Sequence, residues 1–255
     1  MIPNRINRDL LPAEVLERKK IIKKISAVFE SHDCAEIITP TFEDYEVLKQ
    51  GMPQSLRHIT YRFFDTAGMQ LALRPDMTTQ VARIVATKLK DEKGPLRFYY
   101  SGDVYRTVRP EIGIHNQFHQ IGVELYGVVG KTGDAEILAI AEEALTAIGL
   151  KGFMIEKTNV QKIHALPKEK QAALHNQDFV ALGRLPSQEE LMSVDLDYYT
   201  GLYFECFIPE FGYILGSGGR YDKLTGAYGR DISAVGFAFN LDKIMMALQA
   251  QKRRK

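Results

Sequence analysis

Polar side chains set into an apolar strand are the first sign of chemistry in this chain. In "HQIGVELYG", residues 119–127, Gln120 and Glu124 stand among core-like neighbours. Side chains alternate between the faces of a strand, so Gln120, Gly122 and Glu124 share one face. A buried amide or carboxylate left unpaired costs several kcal/mol. Either other protein groups satisfy this pair, or a polar ligand does, and Gly122 leaves backbone open between them. Other groups join the set from nearby segments. Asp76 and Thr78 sit at a helix start, where Asp76 is either a cap or a ligand group. Arg106 ends a strand, as an interior cation aimed at an anion or as an ordinary surface arginine. Tyr198 and Tyr199 point to opposite faces of theirs, and Tyr221 follows the glycine-rich "GSGGR". Carboxylates can accept an ammonium or a ring N–H, while an amide, a hydroxyl and phenols orient it. That is the inventory for holding a zwitterionic small molecule.

Other chemistries are poorly supplied. Cys34 and Cys206 lie far apart without CxxC spacing and without a histidine at motif spacing. They suit a reducing compartment rather than a disulfide framework. His115 and His119 are spaced as metal ligands can be, but no HExxH accompanies them, so no metal site is expected. No GxGxxG follows a strand and no GxxxxGK[ST] occurs. "GSGGRYD", residues 216–222, is either a tight turn or a place where a ligand nears the backbone. The 255 residues carry a net charge of +1, with 45% hydrophobic and 25% charged residues. That balance predicts a soluble globular protein with no nucleic-acid footprint, the basic "QKRRK" end being a solvated tail. No secretory leader and no membrane span are read, which makes the cytoplasm the expected location.

These groups need elements to position them. Val15, Leu16, Ile21, Ile22, Ile25 and Phe29 predict an amphipathic helix over 12–31. Strand patterns cover 35–43, 96–108, 116–128 and 152–158, with a hairpin around Asp65–Gly68. Helices are read over 77–91, capped by Asp76, and over 134–150, closed by Gly149. Strands at "YYTGLYFECFI", "GYILGSG" and "SAVGFAFN" precede a last helix at "LDKIMMAL". Sequential strands favour an α+β fold, an antiparallel sheet with helices on one face.

Five segments, "LRPDMT" (73–78), "DVYRTVRPEIGIHNQFHQIGVELYG" (103–127), "LDYYTGLYFE" (196–205), "GGRYDKL" (218–224) and "AVGFAFNLDKI" (234–244), resemble the class II aminoacyl-tRNA synthetase core, histidyl-tRNA synthetase most closely. They span most of the chain in the family order. The resemblance implies a single synthetase-like domain over 1–255, with the insertion region shortened to about 159–190 and no anticodon-binding domain. It implies that Glu124 and Tyr199 hold an imidazole, that Asp76, Thr78 and Gln120 hold an α-amino group, and that Tyr221 and Arg106 complete a histidine pocket.

The departures from the synthetases resemble the non-aminoacylating branch, the regulatory subunits of ATP phosphoribosyltransferase. Val108 stands where the synthetases place an acid, and Val offers no acceptor. Lys243 replaces an arginine that stacks on adenine, and lysine lacks the planar fork. Val194 and Asp195 replace an Arg-Gly pair that grips the carboxylate, and Asp76 is one methylene shorter than the usual Glu. The expectation is a non-catalytic subunit without cofactor. It would partner a short-form ATP phosphoribosyltransferase catalytic subunit and carry histidine feedback on the first step of histidine biosynthesis. Residues 12–43 would form a homodimer contact. The alternative is a truncated synthetase-like enzyme that forms an aminoacyl adenylate.

Overall fold

The computed structural model describes residues 7–107, 115–175 and 199–253. Helix α1 (Pro12–Ser31) opens with Pro in its first turn and with Glu14 accepting the Leu11 N–H at 3.0 Å, which satisfies an end group that has no intrahelical partner. Ile21, Ile25, Val28 and Phe29 form its buried face. Leu16, expected on that face, is 55% exposed.

Among the described residues, ten strands make two sheets. Strands β1 (Ala35–Glu36), β5 (Leu96–Tyr105), β6 (Gln117–Tyr126), β7 (Met154–Asn159), β8 (Leu202–Phe207), β9 (Ile214–Arg220) and β10 (Ala234–Asn240) form the larger one. Its order is β1-β5-β6-β10-β9-β8-β7. All pairs are antiparallel except the two-residue edge β1, which runs parallel to β5. Strands β2 (Phe42–Asp44), β3 (Arg62–Phe64) and β4 (Gln70–Leu73) form a separate sheet in the order β2-β4-β3. The short strand read over 35–43, closed by Pro40, is shorter still: β1 ends at Glu36, and Phe42 and Glu43, beyond Pro40, belong to the second sheet. The small sheet has its own core, Tyr45, Leu48, Met52, Leu56 and Ala72, supplied partly by α2 (Tyr45–Leu48) and α3 (Gln54–His58). At the hairpin turn Asp65 accepts the Ala67 and Met69 N–H groups at 2.9 and 2.8 Å, and Gly68 takes φ 82°.

Helices lie on both faces of the larger sheet, not on one. Helices α1, α5 (Gly130–Ala147) and α8 (Leu241–Arg253) bury one face over Tyr99, Val123, Phe237 and Phe204. Helix α4 (Thr78–Thr87) covers part of the other, where Val81 and Val85 meet Tyr100, Tyr126 and Tyr221. Two short helices, α6 (Gln161–His164) and α7 (Lys168–His175), follow β7. Helix α1 is tied to the sheet by a polar cluster. Asp103 accepts from Arg18 at 2.8 Å and lies 2.6 Å from His119 Nδ1, while Ser101 Oγ lies 2.8 Å from His119 Nε2. The His119 backbone N–H donates to Asp242 of α8 at 3.0 Å.

The glycine-rich 216–220 segment lies inside β9 rather than in a turn, and Gly216 and Ser217 border an open cavity. A side chain at Gly216 would come within 2.5 Å of the Ala238 carbonyl, and one at Gly219 within 2.8 Å of the Tyr199 ring. Glycine there permits close strand packing. Among the described residues no helix is long and apolar enough to cross a membrane.

Candidate ligand-binding site

Strand alternation does what the sequence pattern predicts in β6. Ile121, Val123 and Leu125 enter the core under α1, α5 and α8, while Gln120, Gly122 and Glu124 face the α4 side. Glu124 is fully buried and held by three hydroxyls. Its Oε1 accepts from Thr78 at 2.6 Å and from Tyr100 at 3.1 Å, and its Oε2 accepts a short bond from Tyr221. Tyr199 packs edge-on against Tyr221, with ring centroids 6.4 Å apart. Burial pushes the Glu124 carboxyl up to about 8, against the hydrogen bonds from Thr78 and Tyr100 and with a further push from the Asp76 charge.

Asp76 is buried at the head of α4. Its carboxylate accepts from the Thr79 N–H at 3.2 Å and the Thr79 hydroxyl at 3.3 Å, so it does cap the helix as the sequence suggests. Burial raises its pKa, opposed by the positive charge of Arg106 and by the Thr79 bonds. The Thr78 hydroxyl turns to Glu124, away from Asp76's own partners. Arg106 follows the end of β5. Its Nε donates to the Pro75 carbonyl at 2.7 Å and its guanidinium lies 5.2 Å from the Phe118 ring centroid.

The expected site residues therefore fall into two neighbouring groups. Thr78, Glu124 and Tyr221 form one bonded network with Tyr199 against it and Asp76 beside it. Gln120 and Arg106 instead line an open cavity of about 300 Å³, together with His115, Phe118, Asn240 and Lys243. Gln120 Oε1 is buried and has no hydrogen-bond partner among the described residues. The pKa of Lys243 is lowered, first by burial and then by Arg106. A larger cavity of about 660 Å³ touches Tyr199 on its far side and is bounded by Gln50, Gly51, Thr200 and Lys223. Val108, Val194, Asp195 and Tyr198 lie outside the described residues.

One reading of the sequence needs correcting. Gly122 does not leave room for a ligand: a side chain there would lie 2.7 Å from the Tyr100 hydroxyl, which already fills the space. Tyr100 itself was missed, because a tyrosine in an apolar strand reads as core. Its parity was the available signal, since Tyr100 pairs with Gly122 across β5 and β6 and so shares its face. His119 joins Asp103 and Ser101 rather than His115, and among the described residues no three candidate metal ligands gather.

Known proteins resemble this chain along almost all of its length. The profile of the family described as histidyl-tRNA synthetase matches residues 7–193 and 190–244. The ATP phosphoribosyltransferase regulatory subunit of Thermoanaerobacter pseudethanolicus is 33% identical, over 96% of this chain and 82% of its own. The histidine–tRNA ligase of Methanocaldococcus jannaschii is 31% identical, over 95% of this chain and 74% of its own. A crystal structure from Bacillus halodurans, described as an ATP phosphoribosyltransferase regulatory subunit/histidyl-tRNA synthetase, superposes with a TM-score of 0.82 at 26% identity. It covers 97% of this chain and 83% of the Bacillus chain. The chain belongs to the histidyl-tRNA synthetase-like family of ATP phosphoribosyltransferase regulatory subunits.

Proposed function

We propose that this chain is a non-catalytic regulatory subunit of ATP phosphoribosyltransferase that binds histidine and carries feedback on the first step of histidine biosynthesis. Its partner is a short-form catalytic chain. The observation that carries the reading is similarity to regulatory subunits over nearly the whole chain. The site supports it in two ways. Glu124 is buried and oriented, as recognition of a single ring N–H requires. The neighbouring cavity presents the compact cation of Lys243 where planar stacking on a nucleotide base would call for a guanidinium.

Reconstitution tests this. ATP phosphoribosyltransferase activity of a short-form catalytic chain should need this chain, and added L-histidine should suppress it. Full, histidine-sensitive activity of the catalytic chain alone overturns the proposal. The similarity to a histidine–tRNA ligase favours a second reading, an adenylate-forming enzyme. Histidine-dependent ATP–pyrophosphate exchange by the purified chain would establish it.

The single-domain reading of 1–255, with the insertion shortened to about 159–190, is part of the proposal. A homodimer is part of the proposal, but its surface is narrower than residues 12–43 as a whole. The Ile21–Phe29 face of α1 is consumed inside the subunit. Leu16, Ile38 and Phe42 stay exposed, at 55, 83 and 52%. Light scattering should give twice the 28.9 kDa chain mass, and Ile38→Asp with Phe42→Asp should halve it.

A further inference from the structure

The buried carboxylate has one more partner than a ligand pocket built from Thr78, Glu124, Tyr199 and Tyr221 would require. Tyr100 is fully buried on β5, and its hydroxyl reaches Glu124 Oε1 at 3.1 Å. The strand partner that would block it is Gly122, where any side chain would meet that hydroxyl. An ionised carboxylate offers about four acceptor positions. Among the described residues Thr78, Tyr100 and Tyr221 fill three, which leaves one.

We propose that Tyr100 is a positioning residue of the ligand site, holding the Glu124 carboxylate so that a single acceptor position stays open for a ring N–H of the ligand. This rests on the histidine-binding reading and deepens it. A group that donates once in a fixed direction, as an imidazole does, matches one open position. An ammonium with three donors does not. Tyr100 also sets when that acceptor exists. A hydroxyl that donates to the carboxylate favours its ionised form. The other groups near Glu124 are Asp76, which opposes ionisation, the Thr78 and Tyr221 hydroxyls, which favour it, and Tyr126. Arg106 acts on Asp76 from the end of β5. Among the described residues, only Thr78, Tyr100 and Tyr221 have a donor bonded to the carboxylate.

The test is Tyr100→Phe in the full chain, which keeps the ring and removes the donor. Two quantities are followed across pH: the ¹³C signal of the Glu124 carboxyl without ligand, and calorimetric binding of L-histidine. The Glu124 midpoint should rise by about one pH unit, and affinity at neutral pH should fall about tenfold and recover at higher pH. Tyr126→Phe is the control. Its hydroxyl is buried in the same core with no partner among the described residues, so its removal should move neither curve. An unmoved Glu124 midpoint in Tyr100→Phe, or an equal shift in Tyr126→Phe, overturns the positioning role. If the midpoint shifts but the unmodified chain does not bind L-histidine at any pH, Tyr100 positions Glu124 and the histidine reading is what fails.

Discussion

Gln120 and Glu124 carry opposite costs at the scale of single residues. Glu124 has its bonds but little water, and its proton affinity is raised. The folded chain therefore binds a proton there that the unfolded chain has released, over the interval from about 4.5 to about 8. Stability must fall as pH rises through that window. Glu124→Gln, which has no proton to lose, should flatten this part of a urea-midpoint profile and weaken L-histidine binding. A profile as steep as that of the unmodified chain would refute the argument. Gln120 has the reverse problem, a buried oxygen at the wall of an open cavity with no partner among the described residues; left unpaired, such a group costs about 1–3 kcal/mol. Gln120→Met should thus raise stability by about 1 kcal/mol while lowering affinity for a polar ligand, and a urea midpoint that falls instead would count against it. The spacing of these residues was readable because strand alternation is strict. What spacing could not reveal was the partner of each: Tyr100 and Thr78 reach Glu124 from different elements, while Gln120 Oε1 is left without one among the described residues.

Among the elements, α4 brings Thr78 to Glu124, and its far end is held from outside. Arg230 donates to the carbonyls of Val85 at 3.0 Å, Leu89 at 2.6 Å and Glu92 at 2.9 Å. These are carbonyls at and beyond the helix end, where intrahelical partners run out. Arg230→Ala should fray this end and cost about 2 kcal/mol, seen as a lower urea midpoint and faster amide exchange at residues 85–89. Protection unchanged by the substitution would mean that the cap is not what holds the turn. Periodicity made α4 legible but not this brace, which spans more than 140 positions of sequence. The same holds for the strand glycines. A Gly cluster reads locally as a turn, and only the approach of β10 to β9 shows why side chains are absent. Gly236 follows the same logic, because a methyl there would strike the Glu124 carboxylate and lie 2.6 Å from the Tyr221 hydroxyl. Gly236→Ala should abolish ligand binding and destabilise the chain together, and retained L-histidine affinity would show the carboxylate free to move aside.

At the level of the whole molecule, the Arg18–Asp103–His119 cluster clamps the first helix to the sheet. Burial alone would raise the Asp103 carboxyl, but the bonds from His119 and Arg18 outweigh it and hold it well below the usual carboxylate range. The stability this brings is present above the unfolded value of 3.8 and is lost as pH falls through the folded one. Asp103→Asn should therefore remove part of the acid-side slope in a thermal melt, and a slope identical to that of the unmodified chain would exclude the clamp. The α+β class and most elements were visible in the sequence. The second sheet and the helices on both faces were not, because they depend on where the chain turns at Pro40 and on contacts between distant segments. The borders of the larger sheet carry a last consequence. One border is two residues long, and the other, β7, carries Glu156 and Lys157. Short and charged borders resist the addition of a further strand. At those two borders an incoming chain meets side-chain surface rather than a long run of unpaired backbone, which guards the larger sheet against runaway strand addition.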